Sequence, residues 1–210
     1  MQFTKTVVIN CAGVGSRLGL GQTKALVKIN DKTLISYQLE ILQNVKDLRI
    51  VVGFEAKSLI AEVLKYRKNA LFVFNHDYMH TKTGGSFYLG AKYAKEFVVS
   101  WDGDLIVHPD DVNKILNSNS EFACYSKKDT DDAVCVDVRD GKIYSFNINS
   151  DFEWSGICSL KKEHIIKNNG HTYEQLLPKL PIEAMEIRSF DIDTYDDYVK
   201  ASQIIKKWYK

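Results

Sequence analysis

Proline is scarce in this chain, three in 210 residues, and there is no repeat, low-complexity tract or Pro/Gly/Ser-rich linker. Solenoids and strings of tethered modules are therefore disfavoured, and residues 1–210 are expected to form a single domain. An excess of positive charge is missing too. Lys and Arg number 28 against 27 Asp and Glu, a formal charge of +1. Nucleic-acid binding usually shows as a basic excess, so no nucleic-acid partner is expected and a small ligand fits better. No apolar stretch reaches the ~18 residues that a spanning helix needs. The apolar run in MQFTKTVVINCAG is also too short for a signal segment. No membrane partner is expected, and the expected location is cytoplasmic. The four cysteines, Cys11, Cys124, Cys135 and Cys158, sit in apolar, strand-like stretches without metal-ligand spacing. They read as buried thiols kept reduced, which agrees with a reducing compartment.

What the chain does have is alternation. Thr6 to Ile9 is a β-branched run, followed by a glycine-rich loop to about Asn30. Thr33 to Val45 carries Leu34, Ile35, Leu39 and Leu42 at helical spacing. Leu48 to Val52 reads as a strand, Ala56 to Tyr66 as a helix, Leu71 to Phe74 as a strand, Ser86 to Phe97 as a helix and Val98 to Trp101 as a strand. The second half reads differently. Phe122 to Tyr125 and Ala133 to Val138 are strand-like, and Asp140-Gly141 is a hairpin signal. A strand near Ala184 to Phe190 and a helix from about Tyr195 to Trp208 follow. The expected fold is α/β and Rossmann-like. It has a mixed, mostly parallel sheet, helices on both faces and an antiparallel insertion in the second half. Ligands of such sheets bind beyond the carboxyl ends of the strands. Ala12-Gly13, Asp102 to Asp104 and Asp191 to Asp193 all follow strands.

The segment NCAGVGSRLGLGQTKALVKINDKTLI carries most of the functional signal. Gly13 and Gly15 allow a sharp turn and a close approach of backbone to ligand. Successive N–H groups in such a turn form a concave anion site. Arg17 adds a planar cation that matches phosphate oxygens, and Lys24 adds a mobile point charge. A triphosphate needs this chemistry, and the same cations would stabilise a departing pyrophosphate. A plain turn with solvated Arg17 and Lys24 is the rival reading. A dinucleotide loop fits poorly, because GVGSRL does not open into a helix and the only nearby acid, Glu55, comes late. A Walker A loop lacks its Lys-Ser/Thr.

AGVGSRL followed by TKALVKINDKTLI resembles the signature of the nucleotidyltransferases that make nucleotide-activated sugars and alcohols. That pattern runs A-A/G-G-x-G-[ST]-R-[LM], a short loop, P-K, a strand, then a G-K-P-[LI] turn into a helix. The match is closest to small cytidylyltransferase-like members acting on phosphocholine and on sugar or polyol phosphates. It covers almost the whole chain, including VVGF, the aspartate pair and DIDTYDD. Cys11 stands for an alanine, and Thr23 and Thr33 stand for prolines. These changes remove no catalytic charge but are expected to loosen the loop. The resemblance implies transfer of an NMP to a small phosphorylated acceptor with release of pyrophosphate. Arg17 and Lys24 would be catalytic, and Ala12, Gly13, Gly15 and Ser16 would bind nucleotide. Closeness to the cytidylyltransferases and the short loop before Lys24 favour CTP. The nucleotide-binding half would run to about 118, the acceptor half over about 119–190 and the C-terminal helix over 191–210. A homodimer is compatible with the sequence.

Asp102 and Asp104 flank Gly103 after an apolar run. Mg²⁺ takes one or two carboxylates plus phosphate oxygens, yet an acidic turn or a cap for the helix at Pro109 explains a short D-x-D equally well. In the resembling family an acidic-x-Asp pair, here Asp191 and Asp193, helps hold the metal. Mg²⁺ is thus the expected cofactor, with Asp102 favoured over Asp104 because it directly follows its strand. Asp196 and Asp197 fall in the first turn of the last helix, where a structural role is expected. By the same resemblance, Gly84, Gly85 and Ser86 are base-pocket candidates opposite Ala12, although Ser86 would serve equally as a helix cap. Glu153 and Trp154 fall where the family builds its acceptor pocket, and Trp154 suits either a headgroup contact or the core. His76 and His80 read as loop residues. Two other functions remain open: a D-x-D metal-dependent glycosyltransferase, which would not need the Gly13-to-Lys24 loop, and a non-catalytic nucleotide sensor.

Overall fold

The computed structural model describes residues 3–15, 21–129 and 133–209. In chain order the strands and helices are β1 (Phe3–Asn10), β2 (Lys28–Ile29), β3 (Lys32–Thr33), α1 (Leu34–Ile41), β4 (Val45–Val52), α2 (Ala56–Tyr66) and β5 (Leu71–Phe74). Then come α3 (Thr83–Ala91), β6 (Phe97–Asp102), β7 (Leu105–Val107), α4 (Pro109–Asn117), β8 (Phe122–Lys127), β9 (Val136–Arg139) and β10 (Lys142–Phe146). The chain closes with β11 (Phe152–Lys161), β12 (Ile182–Glu186), β13 (Ser189–Asp191) and α5 (Tyr195–Trp208).

Among the described residues, nine strands form one sheet in the order β5-β4-β1-β6-β11-β8-β12-β10-β9. The pairings leave seven strands running one way, with only β11 and β10 opposed. The fold is thus the mixed, mostly parallel α/β sheet that the alternation implies. Val7, Val8 and Ile9 are completely buried on the two faces of the central strand β1, as a strand covered from both sides requires. One face packs Ile35, Leu39, Leu59, Val63, Val112 and Ile115, from α1, α2 and α4. The other packs Phe87 and Ala91 of α3. A third cluster seats α5, through Ala201 and Ile205, on Ile29 and Phe190. Thr194 and Asp197 start α5 with a reciprocal cap, so Asp197 has the expected structural role. All four cysteines are buried and free. No described helix is long and apolar enough to cross a membrane.

Several boundaries move, and each for a tertiary reason. The helix expected to reach Val45 stops at Ile41, because Val45 pairs with Phe3 and begins β4. Strand pairing there overrides helical spacing. The helix expected from Ser86 to Phe97 runs from Thr83 to Ala91 instead. The Arg49 guanidinium donates to the carbonyls of Gly90, Lys92 and Tyr93 and closes that helix early. Asp140 and Gly141 make the expected hairpin, both with positive φ (49° and 71°). The strand expected over Ala184 to Phe190 breaks in two. Arg188 turns aside to pair with Asp111, at 2.9 Å, and β13 leaves the main sheet for β7.

Candidate active site

β1 has β4 on one side and β6 on the other, so the chain crosses over in opposite directions from it. A crevice opens at such a switch point beyond the carboxyl ends of the strands. A cleft of about 590 Å³ lies there, reached by the loops after β1, β5 and β6 and by segments around Glu153, Tyr173 and Asp193.

The floor is acidic, and its geometry depends on β7. That strand pairs Leu105 with Asp191 of β13, which draws Asp191 and Asp193 beside Asp104 although the segments lie far apart in sequence. One carboxylate oxygen from each of Asp104, Asp191 and Asp193 falls within 4.8 Å of the others. Lys24 reaches into this group. Its Nζ donates to Asp104 Oδ2 at 2.8 Å and also to Asp193. Burial works against the charge on Lys24, but Asp104, Asp191 and Asp193 outweigh it and hold its pKa above the ordinary value. Asp102 lies beside the group and accepts from Asn10 Nδ2 at 3.3 Å. Burial, then the charge of Asp104, pushes its pKa up to about 8. Asp191 is raised well above the usual range by the same two causes, burial first. Its Oδ1 is buried and meets no partner among the described residues. Hard oxygen donors, crowded and short of positive charge among the described residues, suit a divalent cation. Asp102, expected to be the leading ligand, is the aspartate outside the converging three; Asp104 is inside.

Two residues that the sequence did not single out set this floor. Gln38 is completely buried and donates to the carbonyls of Asp102 and Leu105, at 3.0 and 2.9 Å, pinning the turn that carries both aspartates. Asn10 spans Ser100 and Asp102 at the ends of β1 and β6. A polar residue amid the apolar spacing of α1 was the available clue for Gln38.

Lys24 stands at the start of a single 3₁₀ turn, Lys24–Leu26. The preceding Thr23, where the family pattern has proline, is tied down through its backbone. Its N–H donates to Glu55 Oε2 at 2.8 Å, a bond that proline in its place could not make. Gly15 adopts φ +65°, and a Cβ there would sit 3.0 Å from Lys24 Cγ, so glycine lets the loop close over the lysine. Gly13 and Ala12 line the cleft with it. Ser16 and Arg17 lie outside the described residues.

Ser86 lines the opposite wall, in the first turn of α3 rather than at its cap, which is Lys82. Gly84 and Gly85 do not line the cleft: the Gly84 N–H, expected to face it, donates to Gly170 O at 2.9 Å. At the far end, β11 runs against β6, so its first residues overhang the aspartates. The register of β11 shifts between Trp154 and Cys158. Gly156 makes that bulge with φ +70°, and a Cβ there would come within 3.0 Å of Asp102 Oδ2. Glu153 and Trp154 both line the cleft. Trp154 also packs edge-on against Phe146, which stacks on Tyr173, and His171 stacks on Tyr173 in turn. Trp154 thus both lines the cleft and packs into the aromatic layer behind it. Tyr173 and His171 join this wall from 3₁₀ segments that carry no periodic signal. His76 and His80 sit in a loop as expected; His76 stacks on Phe74, and His80 meets Asp77 at 2.7 Å.

A switch-point cleft of this build fits a nucleotidyltransferase, and the comparisons with known proteins give that class. The chain belongs to the family described as the MobA-like NTP transferase domain, whose model matches residues 7–154. It is 25% identical to the choline-phosphate cytidylyltransferase of Streptococcus pneumoniae over an alignment of 232 positions that takes in 95% of this chain and 97% of that protein. A solved structure of CTP:phosphocholine cytidylyltransferase from the same organism superposes with a TM-score of 0.75 at 21% identity, covering 95% of this chain and 98% of the other. The inositol-1-phosphate CTP transferase of T. maritima superposes at 0.83 with 18% identity, covering 100% and 98%. At these identities the two structures speak for the fold.

Proposed function

We propose that the protein transfers CMP from CTP to a small phosphorylated acceptor in a Mg²⁺-dependent reaction. An acceptor phosphate oxygen forms a bond to the α-phosphorus, the bond to the β-phosphate bridging oxygen breaks, and pyrophosphate leaves. The observation that carries this reading is Lys24, held among Asp104, Asp191 and Asp193 inside the one cleft that also reaches Ser86 and Trp154. A glycosyltransferase would use the carboxylates but has no need of a lysine delivered to them by a glycine loop.

In this reading Ala12, Gly13 and Gly15 bring backbone to the triphosphate, with Ser16 and Arg17 from the same loop. Lys24 leaves the carboxylates for the phosphates and stabilises charge on the departing pyrophosphate. Asp104, Asp191 and Asp193 would hold the divalent ion, with Asp102 behind them. When bound, that ion offsets the repulsion between an incoming phosphate oxygen and an anionic phosphorus. The base lies between Ala12 and Ser86, with Gly84 and Gly85 supporting the wall from behind. The acceptor lies against Trp154 and Tyr173 with Glu153 beside them. An aromatic wall next to a carboxylate favours a cationic headgroup of the phosphocholine type over a plain sugar. The cytidylyltransferase relatives favour CTP. Nucleotide contacts thus fall mostly before residue 118 and acceptor contacts over about 119–190.

Pyrophosphate release tests this directly. CTP, UTP, GTP and ATP are each mixed with phosphocholine, a hexose 1-phosphate and a polyol phosphate. CTP with phosphocholine is expected to give the highest rate, and EDTA to abolish it. Silence in every pairing would sink the reading, and a maximum with another pair would correct the substrate.

A further inference from the structure

Asn75 follows β5 at its cleft end and touches none of the groups assigned to the phosphates, the metal or the acceptor. It is 2% exposed, and its side-chain amide is fully engaged. Oδ1 accepts from the N–H of Asp77 at 3.1 Å, and a backbone N–H can only donate, so the orientation of the amide is fixed. Nδ2 must then face the other way. It donates to Thr81 Oγ1 at 2.8 Å and to Ser86 Oγ at 3.1 Å. Thr81 hands its own hydrogen to the Asp77 carbonyl at 3.1 Å. Ser86 has no such outlet. Its oxygen already takes a hydrogen from Asn75, so its own hydrogen is turned away from that side, and no hydrogen bond donated by it occurs among the described residues. Ser86, Thr81 and Asn75 all line the cleft.

We propose that Asn75 is a positioning residue for base selection: by donating to Ser86 it turns the Ser86 hydroxyl hydrogen toward the bound base. This rests on the reading of the cleft as a nucleotide site with the base beside Ser86. A donor at that place suits cytosine, whose N3 and O2 are both acceptors. Uracil presents an N3–H between two carbonyls, and there hydrogen would face hydrogen. The selectivity comes from a buried layer behind the contact, which explains why a side chain that touches no base would matter.

The test is calorimetric binding of CTP and of UTP, each with Mg²⁺, which needs no knowledge of the acceptor. Wild type is expected to prefer CTP. Asn75→Asp keeps the acceptor for the Asp77 N–H and almost the same volume, but its second oxygen can only accept. Ser86 then turns its hydrogen onto the new carboxylate and shows the base a lone pair. The CTP-to-UTP affinity ratio is expected to fall by about tenfold, the usual effect of leaving a buried polar group mismatched. The added negative charge weakens both nucleotides alike and cancels in the ratio. Ser86→Ala removes the donor without disturbing the Asn75 turn and is expected to lower the ratio as well, so the test survives if Asn75→Asp folds poorly. A wild type that binds neither nucleotide overturns the nucleotide reading itself. A wild type selective for CTP whose ratio is unchanged in both variants overturns the role of Asn75 alone.

Discussion

Each end of the central sheet buries a lysine, and the two ends treat it differently. At the carboxyl end Lys24 pairs with Asp104 and Asp193, with Asp191 close by, and its pKa is held above the ordinary value. At the amino end Lys5 is 2% exposed and, among the described residues, has no carboxylate in contact. Its Nζ meets the Ile115 carbonyl and the Ser159 hydroxyl, both at 3.4 Å, and the rings of Phe122 and Phe97 at 5.1 and 5.7 Å. Burial lowers its pKa to about 8, with Cys124 and Glu183 pulling weakly the other way. One end thus gathers more negative charge than its lysine can neutralise, while the other leaves a lysine short of partners. A fold gains nothing by crowding Asp102, Asp104, Asp191 and Asp193 together for their own sake. Their crowding makes sense as readiness for ligand cations, and Lys24 fills in until phosphates call it away.

The largest expected effect breaks that contrast at the carboxyl end. Lys24→Ala should lower turnover on the order of 10²–10³-fold, as for loss of one preorganised donor to a developing anion. In the same variant, Mn²⁺ titrated without nucleotide and followed by electron paramagnetic resonance should bind more tightly than to wild type, because the competing ammonium is gone. Wild-type turnover would show that Lys24 is only a counter-ion. Weaker Mn²⁺ binding would show that the three carboxylates need the lysine to hold their places.

A smaller effect separates the floor of the cleft from its aromatic wall. Trp154→Ala should raise KM for a cationic acceptor such as phosphocholine about tenfold, in line with loss of a partly desolvated cation–π contact. KM for CTP should barely move, since Trp154 overhangs the cleft from β11 rather than from the glycine loop. Steady-state kinetics with each substrate varied in turn would decide. An equal rise in both values would mean that Trp154 supports the whole cleft through Phe146 and is not an acceptor contact.

The two regions also differ in how far the sequence reveals them. In the parallel half Ala12 and Asp102 stand at strand ends and Lys24 closes the glycine loop that follows the first strand, so all three could be read from local order. The pattern DIDTYDD marked Asp191 and Asp193 as well, through resemblance. What brings them to Asp104 is the three-residue pairing of β7 with β13, too short to leave any periodicity. Asn75 was invisible, and Gln38 nearly so, for another reason: each acts by filling backbone or hydroxyl partners from elsewhere in the chain. The β11 bulge at Gly156 is legible only once Asp102 is known to lie against it. Glu55 looked like a misplaced dinucleotide acid, and its actual contact is the backbone of Thr23.

The smallest expected effect sharpens the contrast at the amino end. Lys5→Met keeps most of the side-chain volume and removes a charge that the fold shelters poorly. The folded-state pKa of Lys5, about 8, lies below its ordinary 10.5, so below pH 8 the folded protein holds a buried ammonium at a cost. That cost is on the order of 1–3 kcal/mol, since a tenfold loss of proton affinity corresponds to about 1.4 kcal/mol and the lysine keeps weak polar contacts. Lys5→Met should therefore be the more stable protein at pH 7 by urea denaturation. Between pH 8 and 10.5 the unfolded chain binds more protons at Lys5 than the folded one, so wild type gains stability there from this residue. The variant lacks that gain, and its advantage should shrink across the window. Comparing the two proteins at each pH cancels the contributions of groups common to both. Turnover should be unaffected, because Lys5 lies at the opposite end of β1 from the cleft. An advantage that stayed constant from pH 7 to 10.5 would mean that Lys5 keeps its ordinary proton affinity in the folded protein, so that its ammonium is not strained and packing alone stabilises the methionine.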